Sequence, residues 1–411
     1  MKRCIIYLTI LHLTMTVAGC GFGGLTDKSS NGSSSASTDK AAEVTGLISK
    51  GIFNKGAVEI YAVDSSGEER LLKTASIGPF GNYSATIRTA KDFTGVVVVK
   101  AYGSYIDEAT GAELTISQGT PLRAAFVNPS GEHLAMVTPL TELAVRKALG
   151  TGTTLVAADV TAANSLVSGL FKVDIMTTKP VRSDLSDEGF GNAATTQEQK
   201  DYTLALAAVS QMASDSGTLS DAMGVLYRTV STEGSSPDGA YAFRSALDRF
   251  LVSDHNQTGL TDVHQTNLAS AGGTTREVKL SLAGKLPPGF AINGVSLTLN
   301  LPPGVTVKGD YSDPLVVRPL EGVVKGSGVS AAGIYAEARY LQESGTTSGR
   351  VRVSLISAAG FYLGEFVTIR CEVMPATSPQ PGEFTVSDFM AKDGNGAILS
   401  TVDVERPLQV Q

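Results

Sequence analysis

Residues 349–373 read GRVRVSLISAAGFYLGEFVTIRCEV. Val351, Val353 and Leu355 alternate with Arg350, Arg352 and Ser354; after a glycine-containing turn, Val367, Ile369, Cys371 and Val373 alternate with Thr368, Arg370 and Glu372. A strict period of two cannot keep one face of a helix apolar, but it gives a strand one apolar and one polar face. Each is a strand with one apolar face that a second layer must cover. Cys371 falls on the apolar parity and reads as a core thiol, not a nucleophile.

Upstream the same pattern recurs, with Val295, Leu297, Leu299 and Leu301 alternating with Ser296, Thr298 and Asn300. LPPG occurs at 286–289 and 301–304 and reads as a corner in both places, because proline cannot donate to a ladder. If these strands are neighbours, their outward side chains form one flat polar face: Ser296, Thr298, Asn300, Arg350, Arg352, Thr368, Arg370 and Glu372. An Arg-bearing flat face suits polar recognition of a partner helix or strand, weighed against an ordinary solvated sheet face. Asp393-Gly394-Asn395-Gly396 has too few following carboxylates for a calcium loop and reads as a hairpin turn.

The pattern before residue 274 is different. Thr138 followed by Pro139 marks a helix start, and Leu140, Leu143, Ala144 and Ala148 follow at helical spacing. Val160, Ala163, Val167, Leu170 and Phe171 make a second stripe. Thr195-x-x-Glu198 reads as a capping box ahead of Tyr202, Ala205, Leu206, Val209, Met212 and Ala213. Leu219, Ala222, Met223, Leu226 and Val230, then Phe243, Ala246, Leu247, Phe250 and Leu251, complete five apolar stripes. They predict an all-helical block whose stripes face a core, since haem or metal would need His or Cys on them. Asp254-His255 and Asp262-x-His264 form a sparse acid–histidine cluster that reads as a polar loop; no metal site is expected.

Between residues 42 and 137 short β-rich segments alternate with turns. Val58, Ile60 and Ala62 alternate with Glu59 and Tyr61, Asp64-Ser65-Ser66-Gly67 and Gly78-Pro79-Phe80-Gly81 are turns, and Val96–Val99 reads as a central strand. The order of Val44, Gly46, Gly56, Ala57, Val58, Thr74, Gly81, Asn82 and Tyr83 resembles the carboxypeptidase regulatory-like (transthyretin-like) sandwich. That resemblance implies a spacer or adhesion unit. Residues 349–373 with EFTVSDFMAKDGNGAIL (383–399) resemble the last strands of cohesin domains, and SLTLNLPPGVTV (296–307) stands where cohesins carry a strand and corner. Leu301-Pro302-Pro303 departs from the cohesin Tyr-Asp-Pro corner. The cohesin resemblance implies docking of a dockerin-like partner across a flat sheet face. Carbohydrate-binding modules share the same nine-stranded jelly roll, so a glycan is the alternative partner.

At the amino terminus Lys2-Arg3 precedes an apolar stretch (4–17) too short to span a bilayer. It ends in Val17-Ala18-Gly19-Cys20, which resembles the lipobox of bacterial lipoproteins. The resemblance implies cleavage before Cys20 and acylation (diacylglycerol and palmitate type) of that residue, and Gly21 in place of Asp implies the outer membrane, on its periplasmic or surface side. Several acyl chains make a durable anchor. Gly19 to Gly24 matches G-x-G-x-x-G formally but has no strand before it and no helix after it. Residues 21–40, rich in Gly, Ser and Thr, read as a tether.

The reading is thus a multidomain α+β lipoprotein: signal peptide 1–19, lipidated Cys20 and linker 20–41, transthyretin-like β-sandwich 42–137, helical domain 138–270 and cohesin-like jelly-roll β-sandwich 274–411. With 33 basic and 40 acidic residues the net charge is −7, which argues against nucleic acid as a partner. Three cysteines, one in the signal and one in the lipobox, leave no pair for a disulfide in the folded part. There is no Trp, no Walker A, G-x-S-x-G, H-E-x-x-H or C-x-x-C, and the acidic pair Asp187-Glu188 reads as solvated. A non-enzymatic cell-envelope protein is expected, catalytic residues and cofactors none, binding a partner protein or a glycan.

Overall fold

The computed structural model describes residues 39–313, 316–330, 332–342 and 348–411. The expected signal, Cys20 and nearly all of the tether lie outside the described residues. The first eight strands are β1 (Asp39–Leu47), β2 (Ile52–Val63), β3 (Glu69–Ser76), β4 (Asn82–Ala90), β5 (Val96–Ile106), β6 (Glu113–Ile116), β7 (Leu122–Val127) and β8 (Gly131–Leu134). They form a three-stranded sheet, β4-β1-β8, and a five-stranded one, β3-β2-β5-β6 with β7 also on β5. Asp39–Ala41, expected in the linker, belong to β1 instead, where they pair with Arg88–Ala90 of β4. Strand β8 has no apolar alternation to announce it; it is held by parallel pairing with β1.

Val96–Val99 explains how this sandwich is set into the molecule. Val97 and Val99 pack with Val44, Ile60 and Ile87 between the two sheets. Val96 and Val98 point the other way, onto Val145, Leu155 and Val160 of the helical region. The strand reads as an unbroken apolar run because it is covered on both faces. The close approach of β1 to the segment after β8 depends on Gly46, where an added Cβ would lie 2.0 Å from the Ala135 carbonyl oxygen.

Five α-helices follow among the described residues: α1 (Pro139–Leu149), α2 (Ala157–Phe171), α3 (Gln197–Ser216), α4 (Leu219–Ser231) and α5 (Asp238–Leu251). Thr138 caps α1, its hydroxyl accepting from Thr141 N. At α3 the capping box is Thr196 with Gln199, one residue later than the Thr195–Glu198 reading. Thr195 spends its hydroxyl on the Gly189 carbonyl, closing the preceding loop. All five apolar stripes meet in one core, with Tyr202, Phe171, Phe243 and Phe250 at its centre. No helix among the described residues is long and apolar enough to cross a membrane.

The last strands are β9 (Thr274–Gly284), β10 (Ile292–Asn300), β11 (Val305–Thr306), β12 (Gly309–Asp310), β13 (Arg318–Pro319), β14 (Val324–Gly326), β15 (Ile334–Leu341), β16 (Arg350–Phe361), β17 (Gly364–Val373), β18 (Thr385–Lys392), β19 (Val402–Val404) and β20 (Gln409–Val410). Sheet β15-β16-β10-β18 faces sheet β11-β17-β9-β19, to which β14 and β20 add at β17 and β9. Both LPPG stretches turn the chain: Phe290 N donates to Pro287 O and Val305 N to Pro302 O, with Gly289 and Gly304 left-handed. Asp393 closes its turn with Oδ1 accepting from Asn395 N and Ala397 N. Cys371 is fully buried between the sheets, and burial pushes its thiol up to about 12.

Asp39–Gln411 makes one compact unit. Buried polar contacts tie the helices to the second sandwich. Lys172, the residue capping α2, pairs with Glu372 of β17, and Asn267 exchanges two hydrogen bonds with the backbone of Gly309.

Candidate docking face

The eight outward residues expected to share one face divide between two. Ser296, Thr298 and Asn300 of β10 and Arg350 and Arg352 of β16 are neighbours on sheet β15-β16-β10-β18. Thr368, Arg370 and Glu372 lie on β17, in the opposite sheet, and so face away from them. The cause is the link between β16 and β17. It is short enough to read as a hairpin, yet it carries the chain from one sheet to the other, with the Phe361 and Phe366 rings stacked 6.5 Å apart in the core.

The three misplaced residues do other work. Thr368 bonds Ser327, Arg370 lines a cleft shared with Lys308 and Lys325, and Glu372 is buried against Lys172. On the first sheet Thr298 is outward in register but only 2% exposed, and its hydroxyl oxygen has no partner among the described residues.

Strand registers lay out the remaining face in four rows. Tyr335, Ile356, Gly294 and Lys392 form the first, and Glu337, Ser354, Ser296 and Met390 the second. Arg339, Arg352, Thr298 and Ser387 form the third, then Leu341, Arg350, Asn300 and Thr385. A left-handed Asp388 marks the bulge that keeps β18 in register with β10 across the sheet. One end of the face is apolar and uncovered: Tyr335 is 66% and Ile356 60% exposed. The other end is cationic. Arg339 is held by Glu337 at 3.3 Å, while the side chains of Arg350 and Arg352 make no hydrogen bond or ion pair among the described residues.

Tyr335, Arg339, Ile356 and Met390 were not among the expected residues. The signal for Ile356 was present in the quoted stretch, where it occupies the outward parity set by Arg350, Arg352 and Ser354. An isoleucine there breaks the polar-out rule for a solvated strand.

Among the described residues no three His, Cys, Asp or Glu side chains gather within metal-holding reach, and Asp187 and Glu188 are exposed.

No family model and no curated protein matches the chain. Among solved structures it is similar to a non-cellulosomal cohesin from the hyperthermophilic archaeon Archaeoglobus fulgidus. The identity is 13%, covering 31% of this chain and 72% of that one, with a TM-score of 0.21. It is also similar to a 9R-lipoxygenase from Cyanothece PCC8801, at 9% identity over 90% of this chain and 44% of that one, with a TM-score of 0.15. Overlaps this slight place the chain in no family.

Proposed function

We propose that the chain is a non-enzymatic cell-envelope lipoprotein, anchored in the outer membrane through Cys20, that docks a partner protein on the outer face of sheet β15-β16-β10-β18. The observation that carries this reading is the uncovered pairing of Tyr335 and Ile356 on the same sheet face as Arg350 and Arg352. Large apolar side chains exposed at one end of a rigid sheet face give a partner something to bury, at about 1.5–3 kcal/mol for each side chain fully covered. Two guanidiniums without an acidic partner among the described residues select the partner's sign: apolar side chains flanked by Asp or Glu. The cohesin resemblance of residues 349–373 supports docking in the same part of the chain.

The test places a photo-cross-linking residue at Ser354 in the full chain, in the envelope of the producing cell, with the same residue at Lys279 on the opposite sheet as control. A discrete protein adduct from position 354 is expected, absent from position 279 and lost when Ile356→Asp and Arg352→Glu are added. Equal adducts from both sheets, an adduct indifferent to those substitutions, or displacement by free glycan alone would overturn it. For the anchor, Cys20→Ser should release the chain from the membrane fraction; unchanged fractionation would refute lipidation.

A further inference from the structure

A cavity of about 320 Å³ opens where the first sandwich meets the helical region, far in sequence from the docking face. Leu47, Ile52 and Val181 supply apolar wall, and the Glu108 carboxylate stands at its floor. Glu108 follows β5 and is pinned from two directions. Its Oε1 accepts from Gly51 N at 2.7 Å, and its Oε2 accepts the Ser210 hydroxyl at 2.6 Å. Behind it Lys50, fully buried, donates to Asp107 Oδ2 at 2.5 Å and to Ser210 Oγ at 2.6 Å.

The charges behind this floor do not balance. Lys50 is one cation against two carboxylates, and its partner is Asp107; Glu108 receives only neutral donors. Burial pushes the Glu108 carboxyl above its ordinary range, and the charge of Lys50, spent directly on Asp107, only partly offsets it. The proximity of Lys50 to Ser210 invites comparison with a serine–lysine hydrolase. Ser210, however, is fully buried, does not line the cavity and already gives its proton to Glu108.

The mouth carries two cations, Lys179 and Arg182, and one acid, Glu188, which lies 3.9 Å from Arg182. Lys179 Nζ donates to the neutral Asn82 Oδ1 at 2.8 Å and has no carboxylate partner among the described residues. Arg182 is held by Asp184 and lies 5.2 Å from the centroid of the Phe80 ring. Phe80 sits at φ 57°, a left-handed conformation costly for an aromatic residue, and it holds a half-exposed ring at the rim.

We infer that this cavity binds a small zwitterion whose ammonium and carboxylate stand at opposite ends of a short apolar segment, the ammonium on Glu108 and the carboxylate at Lys179. The class includes ω-amino carboxylates and the termini of hydrophobic dipeptides. An ammonium on Glu108 supplies the direct cationic partner that carboxylate lacks among the described residues, the apolar segment covers Leu47, Ile52 and Val181, and the outer carboxylate meets Lys179, the lining cation with no acidic partner among the described residues.

The test is calorimetric titration of the full chain with 6-aminohexanoate, hexylamine and hexanoate. The zwitterion should bind at least about tenfold more tightly than either singly charged probe. Glu108→Gln should erase its advantage over hexanoate, and Lys179→Gln its advantage over hexylamine. Lys179 is exposed, so its variant reads the site even if Glu108→Gln fails to fold. Equal binding of the three probes, preferences unchanged in the variants, or no heat from 6-aminohexanoate at millimolar concentration would overturn the assignment.

Discussion

Lys172 Nζ lies 2.6 Å from Glu372 Oε2, and both side chains are nearly closed to solvent, at 3% and 4% exposure. The pair joins the left-handed residue that ends α2 to a strand two hundred positions later. Lys172 also donates to the Gly273 carbonyl, and Glu372 accepts from Thr275. An outward position on β17 is therefore a contact with the helices, which removes Glu372 from any partner-facing surface.

Removing one member of this pair leaves the other charged and buried. Burial already presses the Lys172 ammonium below its usual range, and the charge of Glu372 opposes that pressure. Glu372→Gln should cost about 3–5 kcal/mol, while Lys172→Met with Glu372→Met should recover most of it. Urea unfolding of wild type, Glu372→Gln and the double variant measures both. A loss below about 1 kcal/mol in Glu372→Gln would show that the ion pair contributes little.

Asp201 supplies a pH signature for the same junction. Its carboxylate accepts from Gln197 Nε2 and Asn267 Nδ2, and Asn267 in turn holds both backbone groups of Gly309. Burial raises its carboxyl to about 6, while those hydrogen bonds and the charge of Lys308 pull the other way. A folded-state pKa above the unfolded one gives stability that is complete below about pH 4 and is lost as pH rises through 6. The stability of wild type relative to Asp201→Asn should therefore fall by up to roughly 3 kcal/mol across that window. A difference independent of pH would mean that Asp201 does not titrate there.

Periodicity made the local structure legible and left the long-range pairings hidden. Five helices and most strands follow from apolar spacing, and Thr138 marks the start of α1 by chemistry alone. Val96–Val99 was legible as a buried strand because continuous β-branched residues need cover on both sides. The docking face was half legible. Alternation shows which side of β16 and β17 is polar, but not that the link between them changes sheets. Thr195 and Thr196 offer α3 two capping registers, and only the bond from Thr195 to Gly189 decides between them. Lys50, Asp107, Glu108 and Ser210 carry no spacing signal, because they meet only after the sandwich and α3 have packed.

Gly46 tests the close pairing of the first sandwich. An added methyl would overlap the Ala135 carbonyl and press on the Tyr83 hydroxyl, which itself donates to Ala135 O at 2.6 Å. Gly46→Ala should lose at least about 2 kcal/mol, as overpacking against backbone cannot be relieved by a rotamer change. Tyr83→Phe removes only the hydrogen bond and should lose about 1 kcal/mol or somewhat more. Thermal unfolding ranks the two; equal losses would place the cost in the hydrogen bond and not in the approach of β1.

Lys50 is the sharpest test of the buried charge network. In the wild type, burial alone would raise the Asp107 carboxyl, but the charge and hydrogen bond of Lys50 hold it below its ordinary range. The ammonium also lies 5.1 Å from the Tyr105 ring centroid, whose π face is a further favourable neighbour for its charge. Lys50→Met leaves Asp107 and Glu108 buried around Ser210 with nothing to oppose their charge. Both carboxyls must then take up protons to remain folded, so their folded-state pKa values rise while the unfolded ones stay put. Stability of the variant should consequently drop as pH rises, and its deficit against wild type should grow from small near pH 4 to about 3–5 kcal/mol at pH 7. Adding Asp107→Asn to Lys50→Met removes one of the two anions and should return a substantial part of that deficit at pH 7 alone. Urea midpoints across this pH range read both effects. A deficit that is the same at every pH would show that Lys50 acts through packing of its methylene stem and that its charge is not what holds the network.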